Sequence, residues 1–133
     1  MKTILIYNVN KEIPSNTTGV YKIIGLEKNG QASKINRCLG IDAEGTIYIG
    51  KAVDLQRRLT NFKKGVFPQW TGQGHIAARR YNKILSFQNK FPPERLAVRI
   101  EIFESDEIAK AAERRALDSY VEKYGDNPPL NRQ

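Results

Sequence analysis

One cysteine and one histidine are all this chain has of the two most versatile metal-ligating residue types. The lone Cys38 excludes an internal disulfide framework and fits a reducing compartment. Beside Leu39 and Ile41 it reads as a small buried hydrophobe. The same scarcity puts a zinc site of Cys/His type out of reach. With His75 the sole imidazole, neither a Ser-His-Asp triad nor a paired-histidine metal site can be assembled. Long apolar runs are missing too. No stretch approaches the ~20 residues of a membrane span, and the segment Met1 to Tyr7 is too short for a signal peptide. The expectation is a cytoplasmic protein with no membrane partner. Repeats and low-complexity segments are absent, and Pro and Gly mark only turns. Gly40 and Gly45 have the spacing of a phosphate-binding loop, but Thr46 stands where that motif needs Lys. Asn16-Thr17-Thr18 matches a glycosylation sequon, which means little in a cytoplasmic chain.

What the chain does have is positive charge. Lys and Arg number 22 against 14 Asp and Glu, a net +8 over 133 residues. Such an excess favours a polyanionic partner, nucleic acid or an anionic surface, without deciding between them. The length suits one domain with its own hydrophobic core, here expected to span residues 1–133.

Ile4 to Val9 reads as a short strand, and Gly19 opens a second, Val20 to Ile24. Cys38 to Ile41 continues strand structure up to the turn Asp42 to Gly45. Thr46-Ile47-Tyr48-Ile49 is a β-branched and aromatic run ending at Gly50. Asp54 caps a helix that Gly65 terminates near Lys64, with Leu55, Leu59 and Phe62 on one face. A second helix is expected from His75 to about Phe87. Leu96 to Phe103 alternates as a strand, and Ser105 caps a last helix that runs from Asp106 to Tyr124 and stops at Gly125. The fold class is α/β of the α+β sandwich type: a small, mainly antiparallel sheet flanked by about three helices.

Four residues pose chemical questions. Glu113 sits on the apolar face of the last helix, within about 60° of Ala109, Ala116, Leu117, Tyr120 and Tyr124. A carboxylate there needs a partner, either an arginine in a buried ion pair or a metal ion. Arg58 borders the apolar face of its helix, whereas Arg57 turns to solvent. Tyr21 and Tyr48 lie in strands, where aromatic residues usually pack.

Taken in order, these residues resemble a known family. Gly19-Val20-Tyr21 followed by Tyr48-Ile49-Gly50 is similar to the paired signature of the GIY-YIG nucleases. In that family an essential Arg lies ten positions beyond the second tyrosine, which is Arg58 here. A metal-binding Glu on a later helix and an Asn after a Pro-containing turn match Glu113 and Asn131. The resemblance runs from about Gly19 to Asn131 and leaves a short N-terminal extension. It departs in a longer segment between the two tyrosine motifs, in a wider Glu113-to-Asn131 spacing, and in Phe62, where many members carry His or Tyr.

The resemblance implies a DNA endonuclease using one divalent ion, Mg²⁺ or Mn²⁺, held by Glu113. Arg58 would donate to the scissile phosphate, and Tyr21 and Tyr48 would orient and deprotonate water. With Phe62 unable to move a proton, that work falls to the tyrosines or to His75. Lys51 is a supporting residue, through its field or a phosphate contact, and Asn131 an anchor for the tail. DNA binding is assigned to Arg57, Lys63, Lys64, Trp70, Arg79, Arg80 and Lys83, and a homodimer would suit cutting of both strands. A GIY-YIG-like DNA-binding module without activity is the alternative, and a basic RNA-associated protein a second one. Salt-dependent binding without cleavage would mark the former, and preference for RNA the latter.

Overall fold

In the computed structural model, which describes residues 2–67 and 75–131, the central strand is β2 (Thr18–Gly25). It pairs antiparallel with β5 (Thr46–Ala52) on one side and β6 (Leu96–Phe103) on the other. A two-residue β1 (Ile4–Leu5) extends the sheet beyond β6, giving the order β1-β6-β2-β5. Strand alternation sends Tyr21, Ile23 and Tyr48 to one face and Val20, Lys22 and Ile49 to the other. The first face is covered by α2 (Leu55–Val66) and α3 (Ile76–Asn82), whose Leu55, Leu59, Phe62, Ala77 and Tyr81 fill the main core. The second is covered by α5 (Asp106–Tyr124), through Ala109, Tyr120 and Tyr124. The mixed α/β class with a mainly antiparallel sheet is as the sequence indicates. No helix among the described residues is long and apolar enough to cross a membrane.

Several local features differ from the sequence reading. Only Ile4 and Leu5 of the first expected strand pair with β6. Ile6, Val9 and Ile13, all buried, recur at helical spacing, and the chain turns into a 3₁₀ turn and α1 (Val9–Glu12). The Cys38 region forms a separate hairpin, β3 (Ile35–Arg37) with β4 (Gly40–Asp42). Cys38 lies at its tip and is exposed, not buried, as are Leu39 and Ile41. The hairpin is tied to α5, since Leu39 N–H donates to the Tyr124 carbonyl and Tyr120 Oη to buried Asp42.

Gly65 does not end α2, which runs on to Val66. A Cβ at position 65 would stand 2.6 Å from the Ala78 methyl, so the missing side chain lets α2 and α3 close on each other. The single helix expected from His75 to Phe87 is two, α3 and α4 (Leu85–Lys90). Between them the chain turns extended at Ile84, and Gln88 Nε2 reaches back to donate to the carbonyls of Tyr81 and Asn82 at the end of α3. The ends of α5 are as read: the Ser105 hydroxyl accepts the Ile108 N–H, and Gly125 closes the helix.

Candidate active site

β5 is an edge strand, yet its outward-facing groups are occupied. The Ile47 carbonyl accepts the Leu130 N–H at 2.8 Å. The Asn131 side-chain amide accepts the Ile49 N–H and donates to the Ile49 carbonyl, both at 2.9 Å, so it stands in for a neighbouring strand. The Lys51 backbone N–H faces the Glu113 carboxylate and favours its ionised form. Arg80 Nη1 holds the Leu130 carbonyl at 2.6 Å. Asn131 is thus an anchor, as its place in the sequence suggests.

Around this edge the chemical groups gather. Tyr21 and Tyr48 project from β2 and β5 with ring centroids 6.0 Å apart. Gly50 makes the approach possible: a Cβ there would lie 2.7 Å from the Tyr21 hydroxyl and 2.8 Å from the Tyr48 ring. His75 Nε2 meets the Tyr21 hydroxyl at 2.9 Å, and its Nδ1 accepts the Ala77 N–H as the cap of α3. A ring whose Nδ1 accepts must, when neutral, carry its proton on Nε2. His75 therefore donates to Tyr21. Its ring packs edge-on against Phe62 at 5.0 Å, directly at the position that lacks a polar residue.

The electrostatics follow from burial and from two charges. Burial lowers the His75 pKa to about 3, with the Arg58 charge acting in the same direction, so the imidazole stays neutral. Burial pushes the Tyr21 phenol up, and Tyr48 beside it adds to the effect, against the charge and hydrogen bond of Arg58. Tyr48 is less enclosed than Tyr21. Burial raises it as well, Glu113 adds to the rise, and Arg58, Arg80 and a hydrogen bond with Tyr21 oppose it. Glu113 is half-buried and raised by burial, opposed by the Lys51 charge and backbone N–H and reinforced by Asp106. Lys51 Nζ itself pairs with Asp106 at 2.6 Å.

Of the expected site residues, Tyr21, Tyr48, Arg58, Glu113, Lys51, His75 and Asn131 all come to this edge. Lys51, Arg57 and Arg58 line a hollow of about 420 Å³ beside it. The cation that acts most strongly on Glu113 is Lys51, whose charge and backbone N–H both favour its ionised form. Among the described residues there is no cluster of three or more His, Cys, Asp or Glu suited to a metal. A lone carboxylate is nonetheless a donor set that suits Mg²⁺, which keeps much of its water and binds through one or two carboxylates and substrate phosphate.

The expected DNA-binding residues divide. Arg57, Lys64, Arg79 and Lys83 are exposed. Lys63 is not: it is 8% exposed, with Nζ donating to the Tyr7 carbonyl and to Asn10 Oδ1, so it pins the N-terminal segment to α2. Arg80 is half-buried and holds the C-terminal segment at the site. Its proximity to Tyr48 was not legible in the sequence, because it depends on where residues 128–131 cross β5. Trp70 lies outside the described residues. No family model, curated protein or solved structure matches this chain.

Proposed function

We propose that the protein is a divalent-metal-dependent DNA endonuclease of the GIY-YIG type. The reading rests on one observation, the meeting of Tyr21, Tyr48, Arg58, His75 and Glu113 at the edge of β5. The net charge of +8 suits a nucleic-acid substrate.

Tyr48, the more accessible phenol, takes the proton of the attacking water. The new bond forms from water oxygen to phosphorus as the bond from phosphorus to the 3′ oxygen breaks, and that oxygen leaves as an oxyanion and takes its proton from solvent. Tyr21 stands beside Tyr48 and favours its phenolate, and His75 Nε2–H holds the Tyr21 hydroxyl in place. Arg58 serves twice, favouring the Tyr48 phenolate and donating its planar fork to the phosphoryl oxygens. Glu113 would hold the divalent ion, Mg²⁺ or Mn²⁺, which supplies charge neutralisation at the phosphate and at the departing oxygen. His75 takes the place in the sequence of events left empty by Phe62, through Tyr21 and not by meeting the substrate.

A non-catalytic DNA-binding module is the second reading. The observation in its favour is that burial and the Glu113 charge both hold the phenols protonated.

Supercoiled plasmid incubated with Mg²⁺ or Mn²⁺ decides between them. Nicking that needs metal, stops with EDTA, and falls at least ~100-fold in Arg58→Ala, Tyr48→Phe and Glu113→Ala is the expected result. DNA binding without cutting across metals and substrates would replace the nuclease by the binding module.

A further inference from the structure

The cations assigned so far lie on α2, on α3 or at the β5 edge, but the opposite face of the sheet carries its own set. Lys22 and Arg99 stand directly opposite each other in the register of β2 and β6. Like charges in that relation repel. Arg99 is partly offset by Glu44 at 3.6 Å, whereas Lys22 makes no ion pair among the described residues. Both line a small hollow of about 100 Å³. Lys22 and Ala116 are also shared with a larger one of about 440 Å³ under the second half of α5. Arg115, Ser119 and Lys123 line that larger hollow as one stripe of the helix, four positions apart. Neither Arg115 nor Lys123 makes an ion pair among the described residues. The floor is aromatic and apolar, with Ile49, Tyr120 and Tyr124, and Ser119 and Thr46 add aliphatic hydroxyls.

We propose that the hollow between β2 and the second half of α5 is a second phosphate-binding site, in which Lys22, Arg115 and Lys123 hold the backbone of the DNA substrate. The assignment rests on the nuclease reading for the identity of the polyanion. Four cations, including Arg99 at the rim, face two carboxylates, Glu44 and Glu101. Apolar floor and hydroxyl donors let the lysine and arginine heads reach an anion without full hydration. At 100° per residue Arg115 lies about 160° round α5 from Glu113, so this stripe is on the other flank of the helix and holds a stretch of DNA backbone separate from the one at the β5 edge.

The test is the salt dependence of binding to a fluorescent 30-base-pair duplex in EDTA, where no cutting occurs. The triple variant Lys22→Ala/Arg115→Ala/Lys123→Ala should lower the slope of log K against log salt by about 2 to 3. A charge-matched control, Lys11→Ala/Lys28→Ala/Lys34→Ala, removes exposed lysines elsewhere and should leave the slope nearly unchanged. Far-UV circular dichroism of both variants checks the fold. Equal slopes in the triple variant and wild type would overturn the second site, even if plasmid cleavage succeeds. A lowered slope in a protein that never cuts would keep the site and discard the nuclease.

Discussion

His75 carries a consequence for acid stability that can be read from one side chain. Its folded-state pKa is lowered to about 3, whereas the unfolded imidazole titrates near 6.5. Between those values the unfolded chain binds a proton that the folded chain does not, so this group's effect is to lower stability as pH falls. The window opens below about pH 6.5 and the loss approaches 1.4 kcal/mol per pH unit. Urea unfolding at pH 7 and pH 4.5 should show a larger drop for the wild type than for His75→Gln; equal drops would mean that the imidazole takes up a proton in the folded state. Single residues also mark where sequence reasoning stops. Helical periodicity singled out Arg58 at the border of an apolar face and Glu113 on one, and only the family resemblance gave each a role. Lys63 and Lys64 are adjacent and alike in sequence, yet Lys63 is buried only because residues 7–10 fold over α2. Nothing local to Lys63 carries that information.

At the scale of elements, the strands and helices that build the site were readable from patterns internal to each. β2, β5 and β6 carry β-branched and aromatic runs, and α2 and α5 begin at the capping residues Asp54 and Ser105. The break between α3 and α4 has no proline or glycine, and it depends on Gln88 reaching back to α3. The β3–β4 hairpin is held by α5 and by Arg37, which bonds Asp126 and the Asn127 carbonyl, so its local residues say little about its position. The closure of β5 by Asn131 is a further long-range contact. Asn131→Ala leaves the outward N–H and C=O of Ile49 to water and should cost about 1–2 kcal/mol in urea unfolding. Asn131→Asp keeps an acceptor for the N–H and loses the donor, so an intermediate loss is expected. A stability unchanged in both would show that the amide is not acting as the missing strand.

Across the whole molecule, the sheet separates two chemistries. Tyrosines, His75 and Arg58 gather towards the α2 side, and Glu113 reaches the same edge from α5 on the other. The strand between them, β2, is held by partners far apart in sequence, since Lys22 faces both Ile49 and Arg99. Contacts so distant in sequence form late, because a long loop must close before they are made. A chain that has emerged from synthesis only as far as residue 95 already holds both tyrosines, Arg58 and His75. It leaves one side of β2 without β6, lacks α5, and cannot bring Glu113 to the β5 edge. On the proposed nuclease reading, cutting therefore needs residues 96–131 as well as the tyrosines, Arg58 and His75. A fragment of residues 2–95 should show neither a cooperative thermal transition nor nicking, and adding residues 96–131 as a separate peptide should restore both in proportion to the complex formed.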